Sequence, residues 1–134
     1  MDLKELLLKD LSARLPYGVI CKSKYIEYDD VDGDDTEWDV EGKLEGISDD
    51  YATINSYQCE LEYTKPYLRP MVSMTEEEIK ELSEIDMKRI IFSSRHLTWH
   101  LDGEVIDYLN KKMFDWRGLI HHRLAIKAPS GMYV

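Results

Sequence analysis

His96 and His100 stand four residues apart, a spacing that on a helix would set two imidazoles on one face for a zinc ion. The intervening residues, Leu97-Thr98-Trp99, lack a metalloprotease's glutamate, and His121-His122 would complete a site only if the tail folded back. Ser94, His96 and Asp102 bring a nucleophile, a base and an acid close together along the chain. A triad is defined by geometry rather than by closeness in sequence, and no Gly-x-Ser-x-Gly elbow accompanies these residues. Neither Cys21 nor Cys59 has a histidine near it in sequence. Asp30-Val31-Asp32-Gly33-Asp34-Asp35 alternates carboxylates ahead of a glycine, as loops for hard cations do. Yet Tyr28 occupies the first ligand position, no glutamate stands twelfth, and no helices frame the stretch, so a solvated acidic turn accounts for it. There is no Walker loop and no dinucleotide fingerprint. These residues predict neither a catalytic centre nor a bound cofactor. The remaining enzymatic alternative is a metal-dependent hydrolase built on His96 and His100.

Two other stretches suit binding better than catalysis. Fourteen acids lie between Glu27 and Glu62 against Lys43 alone, a local charge of −13 within a total of −10, so the rest of the chain carries +3. Such a lobe repels nucleic-acid phosphate and excludes direct nucleic-acid binding through this region, while it favours a basic protein partner. Asp29, Asp30, Asp32, Asp34 and Asp35 are its densest part. In Asp115-Trp116-Arg117-Gly118-Leu119, a capping aspartate, an indole and a small residue suit close packing. Trp116 and Arg117 are also residue types that anchor partner surfaces. The seven expected contact residues are therefore these five aspartates, Trp116 and Arg117.

The elements that would carry these residues follow from periodicity. Leu3, Leu7, Leu11 and Leu15 recur every fourth residue, predicting an amphipathic helix over 2–15 with Lys4, Glu5, Lys9, Asp10 and Arg14 on its polar side; Pro16 and Gly18 end it. Val19 to Ile26 alternates as a strand. From Trp38, the residues Val40, Gly42, Leu44 and Gly46 hold every second position between charges, the pattern of a strand with one wet face. Its two glycines suit strong bending or a close approach by another segment. Ser48-Asp49-Asp50 breaks the pattern, Tyr51 to Ile54 resumes it, and a further strand fits within 55–63. Pro66 and Pro70 predict an extended edge or crossing segment over 65–71. Thr75 and Glu78 have capping-box spacing ahead of a helix whose apolar side is Ile79, Leu82 and Ile85. A strand is expected near 86–93, a strand or helical turn at 95–101, a helix over 104–112 and another over 116–123 capped by Asp115. The last residues are expected to form a tail or edge strand.

Val40-x-Gly42-x-Leu44-x-Gly46 followed by Asp49, after an N-terminal helix and a strand, resembles the first signature of Sm-like barrels, small SH3-type sheets. Tyr51-Ala52-Thr53 stands where that family's RNA-contacting asparagine would be, and no basic second signature follows. The resemblance thus implies a curled sheet without RNA binding. Four further blocks are similar to a group of small proteins from gut bacteria of the Bacteroides type and their phages or mobile elements. They are Asp10 to Val19, Lys65 to Met71, Ser73 to Glu78, and Phe114 to Ile120 with Leu124-Ala125 and Ala128-Pro129. That resemblance implies an origin and carries no activity.

At 134 residues one domain is expected, with a helix and barrel-like sheet over 1–72 and a mostly helical part over 73–134. With 43% hydrophobic and 33% charged residues the chain matches soluble globular proteins. No apolar run approaches a membrane span, and Met-Asp-Leu-Lys-Glu lacks a signal peptide's plan, so a cytoplasmic protein is expected. Cys21 and Cys59 then read as small core residues. The expected fold class is α+β: an N-terminal helix, a small strongly bent antiparallel sheet of SH3/Sm type, and C-terminal helices. The expected function is a non-enzymatic protein-binding module of mobile-element origin, acting through its acidic sheet face or Trp/Arg tail. The non-catalytic alternative is an acidic, nucleic-acid-mimicking inhibitor of a host defence or regulatory protein.

Overall fold

The computed structural model describes residues 2–29, 31, 33–86, 91–92, 97–98 and 103–133. Helix α1 (Leu3–Arg14) starts at Asp2, whose carboxylate accepts from the Glu5 N–H at 2.8 Å. A 3-10 turn over Leu15–Tyr17 ends at Gly18 in the left-handed region, φ 75°. Strands β1 (Ile20–Glu27), β2 (Thr36–Ile47), β3 (Tyr51–Ile54) and β4 (Tyr57–Glu60) follow as an antiparallel meander. A 3-10 turn over Leu61–Tyr63 leads into β5 (Lys65–Leu68), which returns to β1. Next come α2 (Glu76–Asp86), the two-residue strands β6 (Ile91–Phe92) and β7 (Leu97–Thr98), and α3 (Gly103–Lys111). Strand β8 (Ile126–Lys127) pairs in parallel with β5, so the main sheet runs β4-β3-β2-β1-β5-β8. The architecture is α+β with a mostly antiparallel six-stranded sheet, and no ladder joins its two ends among the described residues.

Alternation decides what β1 and β2 bury. Cys21, Ser23 and Tyr25 on β1 share a face with Val40 and Leu44 on β2, and Ala52, Ile54 and Cys59 continue it. The sheet curls enough to bring β4 and the segment after it against β1 across this face. The Tyr57 ring of β4 reaches the Tyr25 ring of β1, and the Ser23 hydroxyl lies 2.8 Å from that of Thr64. Leu7 and Leu11 of α1 close the core from one side, Met113 and Leu119 from the chain's C-terminal part. A second core joins Leu82 of α2 to Val105 and Leu109 of α3 and to Phe114. Both cysteines are buried and free, and burial pushes the Cys21 thiol up to about 12.

Two expectations need correction. Strand β5 lies inside the sheet rather than at its edge. Its pairing is two residues deep on each side, so the N–H that Pro66 lacks interrupts very little ladder. Residues 116–123 form successive turns, not a helix: Gly118 and Arg123 both take positive φ, which breaks helical continuation. The strand expected within 55–63 is present as β4 but stops at Glu60, giving way to a 3-10 turn over Leu61–Tyr63; it is entered through Asn55 and Ser56, both at positive φ as a two-residue hairpin turn requires. Of the strand expected near 86–93 and the strand or helical turn expected at 95–101, β6 and β7 are the described parts, paired antiparallel, and the remainder of 87–102 lies outside the described residues.

The glycines of β2 serve different purposes. Gly46 sits at a register shift between Leu44 and Gly46, where the strand bends. Gly42 makes room for Asn55: a Cβ there would lie 2.5 Å from Asn55 Oδ1. That amide donates to the Glu41 carbonyl at 2.9 Å, fixing the hairpin turn over the strand. Gly42→Ala is expected to lower stability by about 0.5–1.5 kcal/mol by evicting the Asn55 side chain from its hydrogen bond to the Glu41 carbonyl. Adding Asn55→Gly, which removes the clash and retains the turn, is expected to make the second substitution less costly than in the parent. Urea melts of all four proteins check this; additive losses would contradict it.

Candidate functional site

Asp10 and Arg14, assigned to the wet side of α1 by periodicity, are wholly buried. Arg14 Nε donates to Asp10 Oδ2 at 2.9 Å, and Arg117 Nη1 donates to Asp10 Oδ1 at 2.8 Å. Arg14 Nη2 donates to the Phe114 carbonyl at 2.7 Å, while Arg14 Nη1 is buried without a partner. One carboxylate thus holds two guanidinium groups and ties α1 to residues 114–117. Asp115 does cap: its carboxylate accepts from the Leu119 and Ile120 N–H groups at 2.8 and 2.9 Å, closing a turn instead of a helix. Trp116 is half-buried, donates from Nε1 to Asn110 Oδ1 at 2.9 Å, and carries the Arg117 guanidinium 4.2 Å from its ring centre.

Arg69 extends the same polar and aromatic assembly. Its backbone accepts from Asp115 N–H and donates to the Met113 carbonyl. Its guanidinium lies 4.1 Å from the Phe114 ring and makes a two-pronged contact with Glu78 at 2.6 and 2.7 Å. Glu78 also closes the capping box with Thr75, as the spacing predicts. The quoted sequence blocks therefore converge in space, and what they build is interior. The Asp10–Arg14–Arg117 cluster was missed because helical periodicity ranks residues by polarity. A buried ion pair violates that ranking, and only the i, i+4 spacing of Asp10 and Arg14 hinted at it.

The acidic turn is separate from this assembly. The Asp29 carboxylate accepts from the Val31 N–H at 2.9 Å, and that of Asp35 from the Asp29 N–H at 3.3 Å. Gly33, at φ 73°, donates to the Asp29 carbonyl. Asp34 and Asp35 are exposed, and Asp30 and Asp32 lie outside the described residues, as do Ser94, His96, His100 and Asp102. Among the described residues no group of three metal-ligating side chains converges. The His121 and His122 rings meet edge to face, 5.4 Å apart.

Beside that turn, the sheet's inner face emerges into solvent as a row of rings. Tyr25 and Trp38 are cross-strand partners, their rings stacked 5.6 Å apart at 25°. Tyr57 sits 4.9 Å from Tyr25, its ring tilted by 43°. Trp38 is 45% and Tyr57 48% exposed, a large apolar area to leave wet. Carboxylates line the opposite face of the same strands, where alternation sets Glu37 and Glu60. Tyr28 donates to Glu60 at 2.5 Å, which raises its phenol to about 12, and Glu62, Glu60 and Glu37 raise that of Tyr63. Lys24 lies 3.8 Å from Glu37 and 5.9 Å from the Tyr63 ring centre. No acidic-region signal singled out these rings; the alternation that puts Trp38 on the buried face of β2 held the clue, because the core ends before it.

A cleft of about 500 Å³ opens between α1 and the β3–β4 hairpin, floored by Leu7, Leu61 and Leu124. Its rim sets Lys4, Lys65 and Arg123 against Asp50, Glu60 and Glu62, with Lys4 bonded to Asp50 at 2.8 Å, so the cleft has no net sign. Among the described residues no helix is long and apolar enough to cross a membrane. No protein-family model, curated protein or solved structure matches this chain.

Arg69, above all, lowers the Glu78 carboxyl from the usual 4.5 to about 2. A depressed carboxylate stabilises the fold above its unfolded value, and that contribution fades as pH falls from about 4.5 towards about 2. Discounted for the solvent reaching the pair, the loss is expected to be about 1–2 kcal/mol. Glu78→Gln is expected to flatten that acid limb in denaturant melts at stepped pH. An unchanged limb would place the loss at other groups.

Proposed function

We propose that this chain is a protein-binding module whose contact surface is the aromatic, acidic end of its sheet, and that its partner offers a basic segment. The observation that carries this reading is the pair of exposed rings, Trp38 and Tyr57, packed on half-buried Tyr25 within the −13 region. Acids alone keep a protein soluble and steer encounters; wet aromatic rings beside them add the short-range contact that holds a partner. Asp29, Asp34 and Asp35 flank the rings as the steering charge, joined in sequence by Asp30 and Asp32. Trp116 and Arg117 leave the contact surface under this proposal, because Arg117 is committed to Asp10 and Trp116 to Asn110.

An SH3-type barrel is the finer fold reading. The order β4-β3-β2-β1-β5, the 3-10 turn between β4 and β5, and the packing of Tyr57 on Tyr25 support it. A cytoplasmic setting and a phage or mobile-element origin belong to the same proposal and rest on the sequence blocks and the composition alone. The acidic-decoy alternative uses the same surface, and ring dependence separates the two. A mimic of phosphate charge needs no aromatic contact, whereas a protein-binding end does.

The test is fluorescence anisotropy of a labelled, unstructured peptide containing both arginine and lysine, titrated with the whole chain at several salt concentrations. Binding is expected to weaken with salt. At fixed salt, Trp38→Ala is expected to weaken it a further threefold to fivefold or about that. Absence of binding would overturn the proposal. Binding that ignores Trp38 and follows the charge count alone would transfer the surface to the decoy reading.

A further inference from the structure

Among the described residues, two arginines show how this chain holds a guanidinium on a ring. Arg69 lies 4.1 Å from the Phe114 ring centre with its N–H fork on Glu78, and Arg117 lies 4.2 Å from the Trp116 ring centre with an N–H on Asp10. Its lysines approach rings differently: Lys24 stops 5.9 Å from Tyr63 and Lys112 6.0 Å from Tyr108. The contrast follows from shape. A planar guanidinium can lie flat on a ring while its edge donates sideways to a carboxylate, whereas an ammonium is a compact, strongly hydrated charge.

The solvent-facing end of the sheet repeats the ring-plus-carboxylate arrangement. Trp38 stands opposite Tyr25 on the inner face, and alternation sets Glu27, exposed and opposite Thr36, on that same face. Trp38 and Glu27 are therefore diagonal neighbours, with backbones about 7–8 Å apart and side chains long enough to serve one group together. Among the described residues, no cation of the chain lies over Trp38, Tyr25 or Tyr57.

We propose that this end selects arginine over lysine, with a partner's guanidinium stacked on the Trp38 indole and its N–H edge donating to the Glu27 carboxylate. The inference rests on the protein-binding reading above and narrows the partner from a basic segment to an arginine-bearing one. The acids of the β1–β2 turn raise the local concentration of either cation equally, so the preference resides in the ring and its neighbouring carboxylate.

Two labelled peptides of equal length and charge, one carrying arginine and one lysine between glycines, are titrated against the whole chain at fixed physiological salt. The arginine peptide is expected to bind about tenfold tighter. Trp38→Ala and Glu27→Gln are each expected to reduce that preference below about threefold. Asp34→Asn with Asp35→Asn is expected to weaken both peptides alike and preserve the ratio. Glu27→Gln, at an exposed strand end, tests the assignment independently of any folding effect of Trp38→Ala. Equal binding of the two peptides would overturn arginine selection and leave the basic-partner reading standing. A preference that survives both substitutions would overturn the assignment to Trp38 and Glu27. Failure of both peptides to bind would overturn both readings.

Discussion

The structure depends on one buried carboxylate. Asp10 is fully buried between the guanidinium groups of Arg14 and Arg117, and Arg14 adds a bond to the Phe114 carbonyl. Desolvating three charges costs several kcal/mol each, so the arrangement persists only because each group is held by the others. The count is unequal, two cations to one anion, and one Arg14 nitrogen is unpartnered. Such a cluster is a poor source of net stability compared with apolar packing, yet a demanding one geometrically. It requires α1 and residues 114–117 to meet in one register, and a displaced partner would strand a charge.

From that constraint the rest of the interior follows. Residues 113–115 pair with the Arg69 backbone, Arg69 reaches Glu78 at the start of α2, and Glu78 and Thr75 set the helix's first turn. Phe114 then enters the core between α2 and α3. The sequence blocks Asp10 to Val19, Lys65 to Met71, Ser73 to Glu78 and Phe114 to Ile120 contribute side chains to this chain of contacts. The proposed contact surface, built on Tyr25, Trp38 and Tyr57, lies outside these segments.

Legibility in the sequence tracked how local each cause was. The β2 alternation, the Thr75–Glu78 box and α1 follow from neighbours within four residues, and they appear as expected. Asp115 caps through its own nearby amides, but the helix it would start is cancelled by the positive φ of Gly118 and Arg123. Burial of Asp10 and Arg14 depends on Arg117, more than a hundred residues away, and no periodicity encodes that. The interior place of β5 likewise depends on β8, a two-residue strand near the C-terminus. The candidate site was half legible. Its charge is plain in composition, whereas the exposure of Trp38 required knowing where the core stops.

Native-state hydrogen exchange on Asp10→Asn tests the central claim, that this carboxylate joins α1 to the C-terminal part. The amides of Arg69, Asp115 and Leu119 report the junction, through their bonds to the Met113 carbonyl, the Arg69 carbonyl and the Asp115 carboxylate. The account expects all three to lose about 3–5 kcal/mol of protection together, with the β1–β2 ladder falling alongside them. Wild-type protection at these three amides in the variant would contradict it, and would show that apolar packing alone holds the two parts together.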